Sequence, residues 1–146
     1  MVSTASALLQ MSQDELDTLF RDSPPGAFPA GDTAGTAIVA PGSSVAGLKA
    51  RLVRWLAWRG KVFDPGRGTL VNKITPLNIG AITAKVYLAQ SWFDGKDAII
   101  LDYSRTSFLA RRVRDEIREV APGLYLGQVY WGRRRLINFA LTVTGQ

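Results

Sequence analysis

Neither cysteine nor histidine occurs in this sequence. Without cysteine the chain forms no disulfide, offers no thiolate nucleophile and cannot bind a metal through sulfur. Without histidine it lacks the usual general base and the commonest metal ligand, and neither a Ser-His nor a Cys-His dyad can form. No run of closely spaced carboxylates resembles a calcium-binding loop. Any chemistry must therefore use Asp, Glu, Lys, Arg, Tyr or backbone groups, and we expect no cofactor and no metal.

Long apolar runs are also missing. No stretch reaches the roughly 18 apolar residues that a membrane-spanning helix needs, and the first ten residues lack the charge and apolar core of a signal peptide. We therefore predict a cytoplasmic protein. The net charge of +6 suits an anionic partner, but the basic residues after Arg105 are interleaved with acids and no nucleic-acid-binding motif is present. We expect no nucleic-acid partner.

The sequence does contain apolar segments of strand length. Its 146 residues are 47% hydrophobic, which is enough for one folded domain. Three segments are rich in branched and aromatic residues and end at turn signals, as strands do; they are Ala98–Tyr103, Leu124–Trp131 and Leu136–Thr142. Gly127, in the middle of the second segment, indicates a bend or a close approach of backbone.

The N-terminal part carries a helix signal. Ser12 and Glu15 form a capping-box pattern ahead of a short apolar stripe, which predicts a helix over about Gln13–Arg21. Residues 1–10 are small and polar, so we expect them to be frayed. Residues 23–36 are rich in Pro, Gly and Ala and predict an extended loop.

A second helix is predicted over about Val45–Trp58, where Leu and Trp recur at helical spacing. Its other positions are largely basic, including Arg51, Arg54 and Arg59. Such a helix either flanks the sheet with its charges in water or lies on an anionic membrane. We favour the first interpretation because the helix runs directly into a strand.

Four further strands are predicted, over Thr36–Ala40, Gly60–Phe63, Thr69–Ile74 and Ala81–Leu88. The segment between residues 105 and 120 is ambiguous, because its apolar residues fit a helical stripe while its C-terminal part, followed by Ala-Pro-Gly, has the form of a hairpin. We predict a helical turn over Thr106–Arg112 and a strand over Arg114–Val120.

One or two helices followed by six to eight short strands predict a mainly β fold, most economically a small antiparallel barrel. In the predicted organisation, residues 1–35 form an N-terminal helix and extended loop. Residues 36–146 form a single antiparallel barrel domain, flanked by the helix over 45–58.

Three features of the sequence resemble those of a known protein family. A helix ends in Trp58-Arg59-Gly60 and is followed by a strand, Leu101-Asp102-Tyr103 comes later, and an arginine (Arg134 or Arg135) lies near the last strand. This arrangement is similar to lipocalin-like barrels of the calycin group. The resemblance implies a cavity that binds a hydrophobic small molecule, and barrels of this type also host cyclases and isomerases.

The candidate catalytic residues are carboxylates and a tyrosine. If Asp102 points inward, it is a partly desolvated acid or base; alternatively it pairs with Arg105 or Arg114 at the rim. A strand over 114–120 would turn inward either Asp115 and Glu119, or Glu116 together with Arg114 and Arg118. We select Asp102, Glu116 and Tyr103 as candidate catalytic residues.

Aromatic and amide side chains on the predicted strands suit the wall of an apolar cavity with a few polar groups. The candidate ligand-binding residues are Trp58, Asn72, Tyr87, Arg118, Tyr125, Tyr130 and Asn138.

These observations lead to three functional hypotheses. The first is a carrier or sensor that binds a hydrophobic small molecule in the barrel. The second is a cofactor-independent isomerase, cyclase or lyase that uses Asp, Glu and Tyr as acids and bases. The third is a protein that binds an anionic membrane surface. The sequence leaves a homodimer open.

Overall fold

The structure, a computed structural model, describes residues 4–38, 61–72, 83–105 and 111–144. It contains two short helices followed by eight strands that form one closed antiparallel barrel in the order β1 to β8. The helices are α1 (Ala5–Leu9) and α2 (Gln13–Asp22), and the strands are β1 (Gly31–Ile38), β2 (Lys61–Asp64), β3 (Thr69–Asn72), β4 (Thr83–Gln90), β5 (Asp97–Asp102), β6 (Val113–Ala121), β7 (Leu124–Trp131) and β8 (Arg134–Val143). The predicted fold class, a mainly β antiparallel barrel with N-terminal helices, is confirmed.

Each strand pairs with its neighbour in the chain, and β1 pairs with β8 from Thr33–Val143 to Ile38–Asn138, which closes the barrel. The connections therefore alternate between two ends. The turns β2–β3, β4–β5 and β6–β7 lie at one end, which we call the turn end. The connections β1–β2, β3–β4, β5–β6 and β7–β8 lie at the other, which we call the loop end.

Two apolar clusters lie on opposite faces of the sheet. The first lies in the barrel interior and includes Phe63, Leu101, Ile117 and Phe139. A barrel of eight strands is wide enough either to be filled by side chains or to hold one small ligand. Gly127 faces this interior, where an added Cβ would overlap the ring of Phe139. The close approach predicted at this glycine is thus between its backbone and an aromatic ring.

The second cluster lies between the helices and the outside of the barrel. Leu16 and Phe20 of α2 pack there, together with residues of β5, β7 and β8 such as Ile100 and Leu126. The capping box is present, since Ser12 accepts a hydrogen bond from the Glu15 N–H while the Glu15 side chain accepts one from the Ser12 N–H. A helix this short is stable because its apolar side is covered by the sheet.

The segments before and after α2 differ from the sequence prediction. Residues 5–9 form α1 rather than a frayed end, because Leu8 is completely buried in the outer cluster. The loop predicted over 23–36 ends earlier, because β1 begins at Gly31 and pairs with β2 and β8. The local composition did not indicate this strand because its residues are small. The strand is stabilised instead by pairing with a neighbouring strand on each side.

The strand predicted over Arg114–Val120 is confirmed as part of β6. The helix predicted over 45–58 lies outside the described residues, as does most of the helical turn predicted over 106–112. Within the part of the chain that the structure describes, no helix has the length and apolar character needed to cross a membrane.

Candidate functional site

Three polar side chains meet inside the apolar barrel. The Lys61 Nζ donates a hydrogen bond to the Tyr103 hydroxyl at 2.7 Å and lies 3.5 Å from Asp115 Oδ2. The Lys61 and Tyr103 side chains are 0% exposed and Asp115 is 1% exposed. We call these three residues the barrel triad.

The strands place the barrel triad near the loop end. Lys61 begins β2, Tyr103 directly follows β5, and Asp115 is the third residue of β6. The alternation of side chains turns Asp115 inward together with Val113 and Ile117, which belong to the interior cluster.

Neighbouring groups fix Lys61 in position. Its backbone N–H donates to Thr33 Oγ1 at 2.9 Å, and the same hydroxyl donates to the Lys61 carbonyl at 2.6 Å. The Nζ also lies 5.3 Å from the ring centre of Tyr103 and 5.7 Å from that of Phe139. Aromatic faces attract an ammonium group at such distances.

Burial dominates the electrostatics of the triad. Desolvation lowers the pKa of Lys61, and the attraction of Asp115 opposes that change. Desolvation raises the pKa of Asp115 to about 6, and the nearby Lys61 works against it. Both carboxylate oxygens of Asp115 are buried, and neither accepts a hydrogen bond of good geometry from the described residues.

This arrangement can perform two kinds of chemistry. Lys61 and Tyr103 can stabilise negative charge on an oxygen atom, and Asp115, with a pKa near neutrality, can take up or release a proton. The donor set does not suit a metal, since the described residues contain no group of three or more carboxylates close enough to hold one.

Two of the predicted site residues point into the barrel. Tyr103 is part of the triad. Tyr125 lies in the interior cluster, and its hydroxyl donates to the Ala27 carbonyl at 2.6 Å. That hydrogen bond ties β7 to the chain segment that precedes β1. The Tyr125 hydroxyl is therefore already hydrogen-bonded within the protein.

Asp102 and Tyr87 lie together on the outside of the barrel. The Tyr87 hydroxyl donates to Asp102 Oδ2 at 2.7 Å, and the Ser104 N–H donates to Asp102 Oδ1 at 2.9 Å. Burial works to raise the pKa of Asp102, but these hydrogen bonds outweigh it and lower the pKa below its usual value. Asp102 is thus an ionised, hydrogen-bonded group at the rim, directed away from the interior.

Glu116 is buried on the outer face, beneath the β4–β5 turn. It accepts hydrogen bonds from the Ser91 hydroxyl and from the Trp92 N–H at 2.8 Å, and Arg114 lies 3.2 Å away. These contacts attach the turn to β6. In this position Glu116 has no access to the barrel interior.

Arg118 also lies on the outer face, where it holds α2 against the barrel. Its guanidinium donates twice to Asp94 and once each to the carbonyls of Phe20, Lys96 and Asp97. These bonds use all five N–H donors of the side chain. None is left for a ligand.

The last two described candidates are buried on the outer face of the sheet. The Tyr130 hydroxyl donates to Gln128 Oε1 at 2.9 Å. The Asn138 amide donates to the Gly127 carbonyl at 3.0 Å and accepts from Gln13 at 2.8 Å. Trp58 lies outside the described residues, and Asn72 is described only as the last residue of β3.

Sequence reasoning missed Lys61. In β6 it selected Glu116, whose side chain lies on the outer face of the barrel. The residues Lys61 to Asp64 are alternately buried and exposed, with Lys61 and Phe63 inside, so this alternation was the available signal. In β6 the apolar Val113 and Ile117 frame Asp115 and mark it as inward, whereas Glu116 falls between them on the opposite face.

The comparisons with known proteins support the fold alone. A solved structure, described as a protein from Thermomonospora curvata, is similar to 96% of this chain and 93% of that chain, with a TM-score of 0.60 and 18% sequence identity. No family model and no curated protein matches the sequence.

Proposed function

We propose that this barrel binds a hydrophobic small molecule that carries an oxygen-containing polar group, and that this group is bound by the barrel triad. The observation that carries the proposal is the Asp115 carboxylate, which is fully buried in an apolar and aromatic interior and accepts no hydrogen bond from the described residues. The predicted hydrophobic ligand is therefore expected to have one polar end.

The buried carboxylate of Asp115 is energetically costly to the folded protein. An ionised carboxylate removed from water is strongly destabilising unless hydrogen bonds and an opposite charge compensate it. Lys61 provides the charge, but at 3.5 Å the contact is longer than a charge-assisted hydrogen bond. A ligand hydroxyl could donate to Asp115, and a ligand carbonyl or carboxylate could accept from Lys61 and Tyr103.

The first test is to purify the protein from its own host, identify what it carries by native mass spectrometry, and extract it. A fluorescent fatty acid then serves as a defined probe. We expect Lys61→Met and Tyr103→Phe to weaken binding of the probe at least tenfold. The exposed Lys85→Met is the control and should leave binding unchanged. Probe binding that survives in all three variants would contradict the proposal.

A second candidate is proton-transfer catalysis at the same site, favoured by the pKa of Asp115 near 6 beside two donors. Asp115 would remove a proton from the carbon next to a ketone, while the Tyr103 hydroxyl and the Lys61 ammonium stabilise the resulting enolate oxygen. Asp115 would then return the proton to a different carbon, so the double bond moves and nothing is consumed. This is the isomerase hypothesis with Asp115 as the base.

The test for catalysis uses a hydrophobic β,γ-unsaturated ketone and follows the absorbance of its conjugated product. We expect Asp115→Asn to abolish turnover while the fluorescent fatty acid still binds. Asp102→Asn and Glu116→Gln should turn over normally, because both carboxylates lie outside the barrel. If Asp115→Asn remains active, the base has been assigned wrongly.

A further inference from the structure

An arginine-rich cleft lies on the outside of the barrel, where the β4–β5 turn approaches the loop end. Its volume is about 420 Å³. It is formed by the β4–β5 turn, the start of β6 and the β7–β8 turn. Its lining includes Trp92 and the four arginines Arg111, Arg112, Arg114 and Arg133.

The indole of Trp92 organises two of the guanidinium groups. Arg114 Cζ lies 4.0 Å and Arg133 Cζ lies 4.8 Å from the centre of the Trp92 ring. The ring itself is held edge-to-face against Tyr130, with centres 5.3 Å apart, and the backbone N–H of Trp92 donates to Glu116. Cation–π contacts of this kind keep arginines in place before a ligand arrives.

The backbone brings Arg112 to the same place. The Gly132 N–H donates to the Arg112 carbonyl at 2.9 Å, which joins the segment before β6 to the β7–β8 turn. Arg112 and Arg133 therefore extend from adjoining backbones, and both side chains are exposed.

The positive charge of the cleft is only partly neutralised. Glu116 pairs with Arg114 at 3.2 Å, and Asp102 accepts hydrogen bonds from Tyr87 and Ser104. Arg112 and Arg133 have no carboxylate within ion-pair distance among residues 4–38, 61–72, 83–105 and 111–144. Two exposed guanidinium groups thus share one cleft, with no counter-charge among the described residues.

We propose that this cleft binds a phosphate group. Guanidinium groups match phosphate oxygens through paired N–H donors. A phosphate ester near pH 7 carries close to two negative charges, which would balance the positive charges of Arg112 and Arg133. A carboxylate brings only one charge. The site lies outside the barrel, so it is independent of the function proposed above.

The experiment titrates the whole protein with phenyl phosphate by calorimetry and follows the backbone amides of Arg112 and Gly132 and the Trp92 indole by NMR. We expect saturable binding with shifts confined to these signals. The double variant Arg112→Gln/Arg133→Gln should weaken binding at least tenfold. Arg67→Gln, which removes an exposed arginine at the turn end, should change it less than twofold.

Two further measurements test whether the site prefers phosphate and whether a lipid supplies it. Benzoate should bind at least tenfold more weakly than phenyl phosphate. Binding to vesicles that contain phosphatidic acid, but not to pure phosphatidylcholine, would identify a lipid headgroup as a source of the phosphate if the double variant abolishes it. The proposal is overturned if nothing binds, if benzoate binds equally well, or if Arg67→Gln weakens binding as much as the double variant. An unchanged amide spectrum away from the cleft establishes that the double variant is folded.

Discussion

Lys61 and Asp115 form a buried ion pair, and such a pair is seldom a net source of stability. Two charges lose their hydration, and their attraction compensates for that loss only when the geometry is good and other hydrogen bonds are present. Here the separation is 3.5 Å, and the carboxylate accepts no hydrogen bond from the residues that the structure describes. The pair is therefore not expected to stabilise the fold, which gives a direct test.

Removing one member of the pair should be costly, and removing both should not. We expect Lys61→Met to lower the free energy of unfolding by about 3–5 kcal/mol, because it leaves the Asp115 charge buried without a partner. The double variant Lys61→Met/Asp115→Leu should recover most of this loss. Urea unfolding of the native protein, the two single variants and the double variant measures this recovery. A double variant no more stable than Lys61→Met would contradict the expectation.

The pKa of Asp115 predicts how stability depends on pH. Burial raises this pKa to about 6 in the folded protein, against an ordinary value of 3.8. Between these values the folded chain holds a proton that the unfolded chain has released, so the free energy of unfolding falls as pH rises. The contribution of Asp115 is complete below about pH 4 and lost as pH rises through about 6.

The corresponding measurement is urea unfolding between pH 4 and 7 for the native protein and for Asp115→Asn. We expect the difference in free energy of unfolding between the two proteins to change steeply across pH 4–6 and to level off above. A difference that does not vary with pH would mean that Asp115 titrates normally. Asp102→Asn serves as the comparison, because the pKa of Asp102 is lowered and its contribution is lost at lower pH.

Sequence reasoning identified part of the triad. Tyr103 was selected as a catalytic candidate together with Asp102, at the end of a very apolar strand, and Asp115 remained one of two alternatives in β6. Lys61 was missed because a lysine at the start of a four-residue strand is ordinarily exposed, although its alternation with Phe63 indicated an inward side chain. What makes it buried is the register that sets Lys61 opposite Thr33 and turns its side chain toward β5 and β6.

At the scale of elements, α2 and the β4–β5 turn are joined to the barrel by polar contacts. Arg118 connects β6 to Phe20 at the end of α2 and to Asp94 in the turn. A second connection runs from Arg135 on β8 to Asp17 on α2, at 2.8 Å. The first connection is almost completely buried and the second is partly exposed, so their contributions should differ.

We expect Arg118→Met to lower the free energy of unfolding by about 3–5 kcal/mol, because Asp94 and three carbonyls lose their donor in a buried site. Arg135→Met, which breaks the more exposed pair, should cost about 1 kcal/mol or less. Urea unfolding of both variants is the measurement. Equal losses in the free energy of unfolding would contradict the expectation that the more buried connection contributes more to stability.

At the scale of the whole molecule, the barrel could be predicted from the sequence while the way the chain covers it could not. Short strands at regular spacing predict closure, since an open sheet of this kind leaves an unpaired edge. The covering of the outer face by Leu8, Leu16 and Phe20 depends on contacts with strands far along the chain. No local pattern in the first 22 residues specifies which strands they cover.

The same contacts predict that helices and barrel unfold as one unit. Phe20 is 0% exposed and packs against outward residues of the sheet, while its carbonyl accepts from Arg118. We expect Phe20→Ala to cost about 3–5 kcal/mol. Because the buried face of the sheet would be exposed if α2 left it, hydrogen exchange should accelerate equally in α2 and in β5 to β8. Faster exchange in α2 alone would show that the barrel persists without its helices, and that the N-terminal region is a separate layer added to an independent fold.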